Sequence, residues 1–363
     1  FSSLPIQDDG RVKPLSTYAG FKLLKFNGVR SVEDVLAPPK HSLFGGERYP
    51  RLNPTEWLLN CLFYPEAAQH YPHFSIASSD VLDAIGVPHE NKKKRDRYSY
   101  AELQPGIRKL FSLATEYSRK ETKDMTPTER QIVNLAHNVS DFEMLIHYMD
   151  FARHDFEVAE SARLQELLPG DEEAEFTRLL EKMPLLRQLD AVLSAPIEGV
   201  DADTVAKERH ALEHLINDVG RMGSMGSALA IFPPEGDPKQ RAEWRTPRDI
   251  TEAAFLGQGP SEHDLLMLGE LEKLAAMRSR PEAFNEQLAA FHGQAVEVAQ
   301  ARGEYSRVPL EVFFYLGNKS LLLYTSVLYV VGLALLALLY FRPGTLWAAL
   351  LAPLALATPT LFM

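Results

Sequence analysis

The chain has almost no cysteine: Cys61 stands alone among 363 residues. A single thiol closes no internal disulfide and supplies no Cys-x-x-Cys-His haem-attachment motif. Set in Trp57-Leu58-Leu59-Asn60-Cys61-Leu62-Phe63, it reads as an apolar core residue. Tryptophan is scarce too, with Trp57, Trp244 and Trp347 far apart. Cations are the minority: 38 Lys and Arg face 49 Asp and Glu, a net charge of -11. That balance excludes nucleic acid as a partner, because phosphate contacts need clustered Lys and Arg. The one basic run, Lys92-Lys93-Lys94-Arg95-Asp96-Arg97, reads as a solvated loop, with contact to anionic lipid or a partner as the alternative.

Long uncharged runs are missing until the end. Leu321 to Tyr340 then carries no charge, and after Phe341-Arg342-Pro343-Gly344 a second uncharged run goes from Thr345 to Met363. About 20 apolar residues in helix match the hydrocarbon thickness of a bilayer, and a helix keeps its backbone groups paired in lipid. The sequence therefore predicts transmembrane helices at 321–341 and 345–363, a juxtamembrane segment at 311–320 and a polar domain at 1–310. The start at Phe1 and the unflanked stop at Met363 read as the limits of a segment of a longer membrane protein. Flanking charge, Arg302, Arg307 and Lys319 against Arg342, slightly favours a cytoplasmic large domain.

The domain is predicted to be mainly α, with a small N-terminal β-hairpin and few short strands. Asp9-Gly10 is turn chemistry for a hairpin over Leu4–Pro14. A short helix over Ser16–Lys25 closes at Asn27-Gly28, and residues 31–52 read as loop. Asn53-Pro54-Thr55-Glu56, Ser99-Tyr100-Ala101-Glu102 and Thr126-Pro127-Thr128-Glu129 are helix-opening capping patterns. The last opens the longest helix outside the uncharged runs, Pro127 to His154. Its apolar residues Ile132, Leu135, Val139, Phe142, Leu145, Ile146 and Met149 recur at helical spacing. Further amphipathic stretches lie near 158–168, 171–193, 202–219, 261–278 and 282–302. Gly220, Gly223 and Gly226 read as a flexible loop, spaced wrongly for a dinucleotide fingerprint. Ala228 to Pro234 reads as a strand stopped by prolines.

Chemistry-bearing patterns are few. His210-Ala211-Leu212-Glu213-His214 matches the inverted zinc-peptidase pattern, so His210 and His214 are the candidate metal ligands with Glu213 as base. The pattern needs a third carboxylate ligand, for which Glu270 and Glu272 are the candidates, and a solvated helix face is the competing reading. His147, Asp150 and His154 share a predicted helix face, but the two histidines lie about 10 Å apart by helix rise and share no ion. His70-Tyr71-Pro72-His73 falls in a loop whose geometry is open. The histidines are expected in polar or isolated surroundings without an aromatic wall.

Leu4-Pro5-Ile6-Gln7-Asp8-Asp9-Gly10-Arg11-Val12-Lys13-Pro14-Leu15-Ser16-Thr17 resembles the opening of the extracytoplasmic domain in bacterial cytochrome c biogenesis proteins of the CcsA/ResC type. The family-pattern residues are Gln7, Asp8, Gly10, Arg11, Lys13, Pro14 and Thr17. Asn53-Pro54-Thr55-Glu56-Trp57-Leu58-Leu59, Tyr64-Pro65-Glu66, Ile231-Phe232-Pro233 with Trp244, and Glu311-Val312-Phe313-Phe314-Tyr315 are similar to later parts of that family. The last departs from its pattern, with the tyrosine shifted by one and Leu316 where Asn is usual.

The resemblance implies an inner-membrane component with its large domain extracytoplasmic. Such a component presents haem for thioether attachment to apocytochrome c and acts as a holocytochrome c synthase. The family handles haem with a tryptophan-rich loop and flanking histidines that are not in this segment, so the haem site is expected beyond Met363. A non-catalytic membrane-anchored scaffold, contacting neighbouring membrane subunits within a larger complex, is the other reading. A membrane metallopeptidase built on His210 and His214 is a distant third.

Overall fold

Asp9 (φ 51°) and Gly10 (φ 71°) both take left-handed backbone, the geometry of a two-residue hairpin turn that follows strand twist. They join β1 (Pro5–Asp8) to β2 (Arg11–Pro14) as an antiparallel pair, Pro5 opposite Pro14 and Asp8 opposite Arg11. The structure, a computed structural model, describes residues 1–41, 47–90, 92, 96–158, 161–169, 173–195, 200–236, 243–341 and 353. The chain divides into two units, Phe1–Ser306 and Arg307–Met363.

In the first unit α1 (Leu15–Asn27) follows the hairpin and stops at Gly28, whose φ of 71° closes it with an N–H to the Leu24 carbonyl. The stretch 31–52, read as loop, holds two short ladders: β3 (Val32–Glu33) against β6 (Arg51–Leu52), and β4 (Lys40–His41) against β5 (Glu47–Arg48). Asn53 then opens α2 (Pro54–Phe63), its Oδ1 accepting from the Thr55 and Glu56 amides while Glu56 accepts from the Asn53 amide. Reciprocal caps of this kind satisfy amides that have no helical partner. After α3 (Pro65–Ala68), β7 (Phe74–Ile76) pairs with β8 (Asp96–Tyr98) across α4 (Ser79–Ile85). Ser99 caps α5 (Tyr100–Leu103), α6 (Ile107–Tyr117) comes next, and Thr126 caps α7 (Pro127–Ile146).

Helix α7 ends at Ile146, short of the predicted His154. The Arg153 guanidinium folds back onto the Ile146 and Leu62 carbonyls at 2.6 and 2.7 Å, bracing the turns that follow the helix. The predicted apolar stripe from Ile132 to Met149 is buried throughout. A ladder of β9 (Phe156–Glu157) with β10 (Glu173–Ala174) flanks α8 (Ala162–Leu167). Then come α9 (Phe176–Leu193), α10 (Ala202–Met225), α11 (Pro247–Phe255), α12 (Glu262–Ala276) and α13 (Pro281–Ala301). In this unit α10, not α7, is the longest helix.

The glycines read as a loop lie within and at the end of α10. A Cβ on Gly223 would stand 2.3 Å from Thr251 Oγ1, and one on Gly226 would stand 2.6 Å from Pro247 Cβ. These residues let α10 and α11 approach closely. The predicted strand at 228–234 forms only single bridges, Gln7 with Ala230 and Phe232 with Arg245. Leu4, Trp57, Phe142, Phe176 and Phe291 belong to one hydrophobic core.

The second unit carries α14 (Val308–Phe341), which runs straight through the expected juxtamembrane segment. Among the described residues, no helix is long and apolar enough to cross a membrane. The mainly helical class with few short strands stands, but the two transmembrane helices expected at 321–341 and 345–363 are not supported. The second of them, Pro353 excepted, lies outside the described residues.

Candidate functional site

Gln7, Tyr18 and Tyr148 together grip one stretch of chain. Gln7 donates its amide to the Ala230 carbonyl at 2.9 Å, and its side-chain Oε1 accepts from the Trp244 amide at 2.9 Å. The hydroxyls of Tyr18 and Tyr148 donate to the neighbouring carbonyls of Ala228 and Leu229. Three separate elements therefore grip the segment entering Ile231-Phe232. Phe232 and Arg245 exchange two backbone hydrogen bonds, and Trp244 Nε1 donates to Glu304 at 3.0 Å. Glu304 in turn holds the buried Arg302 at 3.1 Å. Asp8 pairs with Lys13 at 2.6 Å, and Leu15 donates to the Leu4 carbonyl just after Pro14. Thr17 is buried, and its hydroxyl has no partner. Burial pushes the Tyr148 phenol well above its ordinary range, so it acts as a neutral donor.

His210 and His214 line a cleft of about 240 Å³ with Glu157, Val158, Ser161 and Leu164. No zinc set assembles there: among the described residues no group of three or more His, Cys, Asp or Glu is placed to hold a metal. Glu213, the expected base, is bound to Arg209 at 2.8 Å. Glu270 pairs with Lys273 on its own helix, and Glu272 accepts from the Phe176 and Thr177 amides to cap α9. His214 instead joins Asp218 at 3.3 Å, where His154 (3.6 Å) and Arg221 (2.7 Å) converge. Burial raises the Asp218 carboxyl, but the Arg221 hydrogen bond and the neighbouring positive charges outweigh it and leave it below the usual range. Replacing His210, an exposed residue, with alanine is expected to shift stability by no more than about 0.5 kcal/mol. Elemental analysis before and after the change checks the metal reading.

His147 is similarly committed, bonded through Nδ1 to Asp150 at 2.7 Å, and that hydrogen bond raises its affinity for a proton. Asp150 also holds Arg153 at 2.5 Å. The basic run is only partly solvent-facing. Lys92 pairs with Glu102 at 2.6 Å and lies 4.4 Å from the Tyr98 ring centre, while Lys93 to Arg95 fall outside the described residues.

His73 departs furthest from expectation. It is completely buried, with ring centroids of Phe142 at 4.3 Å, Phe74 at 4.4 Å, Trp57 at 5.9 Å and Phe26 at 6.1 Å. The aromatic wall that the sequence reading denied to every histidine exists here. Only the alternation of Phe74-Ser75-Ile76 hinted at a strand beside it. Cys61 is buried and free, as its apolar context predicts. No family model, no curated protein and no solved structure matches the chain.

Proposed function

We propose that the first unit serves cytochrome c biogenesis, as the helical part of a CcsA/ResC-type component on the extracytoplasmic side of the bacterial inner membrane. One observation carries this reading. Two stretches that separately resemble the family, Leu4–Thr17 and Ile231-Phe232-Pro233 with Trp244, meet through Gln7 although more than two hundred residues part them. A shared pattern that converges in space is what a common fold requires, because the paired groups stabilise each other.

Among the described residues, the one histidine with a wall of aromatic rings, His73, does not fit a haem site. An axial ligand needs an accessible imidazole in an apolar pocket. His73 is sealed in the core. The role assigned to this unit is therefore to position apocytochrome c or neighbouring subunits while haem is handled elsewhere. The second reading is a non-catalytic scaffold, in which the unit organises neighbouring membrane subunits.

Deleting the gene and restoring it with the natural or the Gln7→Ala chain tests both readings, with covalent haem in c-type cytochromes as the measurement. Loss on deletion and recovery with the natural chain is the expected result. Unchanged covalent haem together with loss of a co-purifying membrane complex would favour the scaffold. Asp203, exposed at the start of α10, serves for location: Asp203→Cys should react with an impermeant reagent in intact cells lacking an outer membrane barrier, since Cys61 is buried. Reaction only from the cytoplasmic side would reverse the assignment.

A further inference from the structure

His73 has both ring nitrogens buried without a hydrogen-bond partner. Its ring touches one aromatic side chain from each of α1, α2, β7 and α7, so it sits where four elements meet. A neutral imidazole is a tolerable aromatic filler there. An imidazolium would bring two N–H donors and a full charge into the same space with nothing to receive them.

Among the described residues, no charge stands ready to meet it. On α1 and α7, Lys22 and Lys25 are both held by Asp141, at 3.0 and 2.9 Å. Glu143 of α7 accepts the Tyr100 hydroxyl at 2.9 Å. Cys61 of α2 has its thiol pushed up by burial and stays uncharged. Tyr98, opposite Phe74 on β8, and Tyr71, just before β7, are raised by burial and are neutral as well, Tyr71 to about 12.

We propose that His73 makes the junction of α1, α2, β7 and α7 an acid-sensitive latch, closed while its imidazole is neutral and opened by its protonation.

Burial alone lowers the proton affinity of His73 from the ordinary 6.5 to about 3. The unfolded or opened chain takes the proton near 6.5, the closed chain only near 3. The closed state keeps its full stability above pH 6.5 and loses it as the pH falls from there toward 3. From this one residue the opening constant rises by up to about tenfold per pH unit inside that window, or about 50-fold between pH 6.5 and 4.5.

The test compares the full chain with its His73→Phe variant, which keeps a ring but takes no proton. Amide exchange corrected for intrinsic rates is followed at Trp57–Phe63 and Phe74–Ile76 from pH 7 to 4.5, alongside denaturant titrations. Protection in the natural chain should fall about 75-fold over that range, and His73→Phe should abolish most of that fall. His154→Ala and His214→Ala should leave it in place. Identical acid curves for the natural chain and His73→Phe would overturn the latch. If His73→Phe does not fold, NMR titration of the His73 ring in the natural chain decides. A ring neutral in the closed state below pH 5 supports the latch, and one titrating near 6.5 refutes it.

Discussion

Phe142→Ala is expected to destabilise the chain by about 3–5 kcal/mol, the cost of deleting a buried aromatic side chain together with the cavity it leaves. Phe142 is fully buried on α7, with ring centroids of His73 at 4.3 Å, Tyr100 at 5.4 Å and Phe74 at 5.7 Å. Its neighbours belong to different elements, and two of them are anchored independently of Phe142. Phe74 is fastened in the β7–β8 ladder, and Tyr100 is held by Glu143. The surroundings therefore have little freedom to collapse into the space. Denaturant titration should show a lower midpoint at unchanged slope, the mark of lost stability rather than an altered unfolded state. Phe142→Leu, which keeps most of the volume, should cost much less. An unmoved midpoint for Phe142→Ala would mean that α7 is not the central helix of this core.

Gly223→Ala is the second large effect, and its sign runs against propensity. In an exposed helix the change gains about 1 kcal/mol. Here the new Cβ would lie 2.3 Å from Oγ1, 2.5 Å from Cγ2 and 2.8 Å from Cβ of Thr251. Thr251 is buried, and its hydroxyl is fixed to the Pro247 carbonyl at 2.8 Å. A β-branched side chain held in this way cannot swing aside, so α10 and α11 must separate. Overpacking of this kind costs about 1–3 kcal/mol. Thr251→Ala in the same chain should recover much of the loss, a non-additive coupling that a double-mutant cycle reads directly. Gly293→Ala, on an exposed turn of α13 where a Cβ meets nothing within 4 Å, should instead stabilise by about 0.5–1 kcal/mol. A gain for Gly223→Ala would contradict the close approach of the two helices.

The parts legible in the sequence are those written by near neighbours. Asp9-Gly10 specified its turn because two adjacent residues must take positive φ, and few other pairs do so cheaply. Asn53, Ser99 and Thr126 announced their helices because each capping box closes within four residues. The burial of Ile132, Val139 and Phe142 followed from helical period alone. By contrast, the inverted zinc-peptidase pattern was legible but incomplete by itself. Spacing places His210 and His214 on one face, but a metal needs a third ligand whose position no local pattern dictates.

What the sequence determined by itself was thus the hairpin, the helix starts, the apolar stripe and the unreactive setting of Cys61. Tertiary structure decided the rest. Gly223 and Gly226 changed from loop to helix contact because their purpose is the nearness of Thr251 and Pro247, residues invisible to a local window. Helix α7 stopped at Ile146 because Arg153 reaches back to its carbonyl and to that of Leu62. Gln7 found Trp244, and Trp244 found Glu304, by contacts that only the closed fold supplies. His73 became a buried neutral ring because four elements brought aromatic side chains around it. The physical reason is the same in each case: turns and caps are short-range energies, whereas burial and close approach belong to the packed chain as a whole.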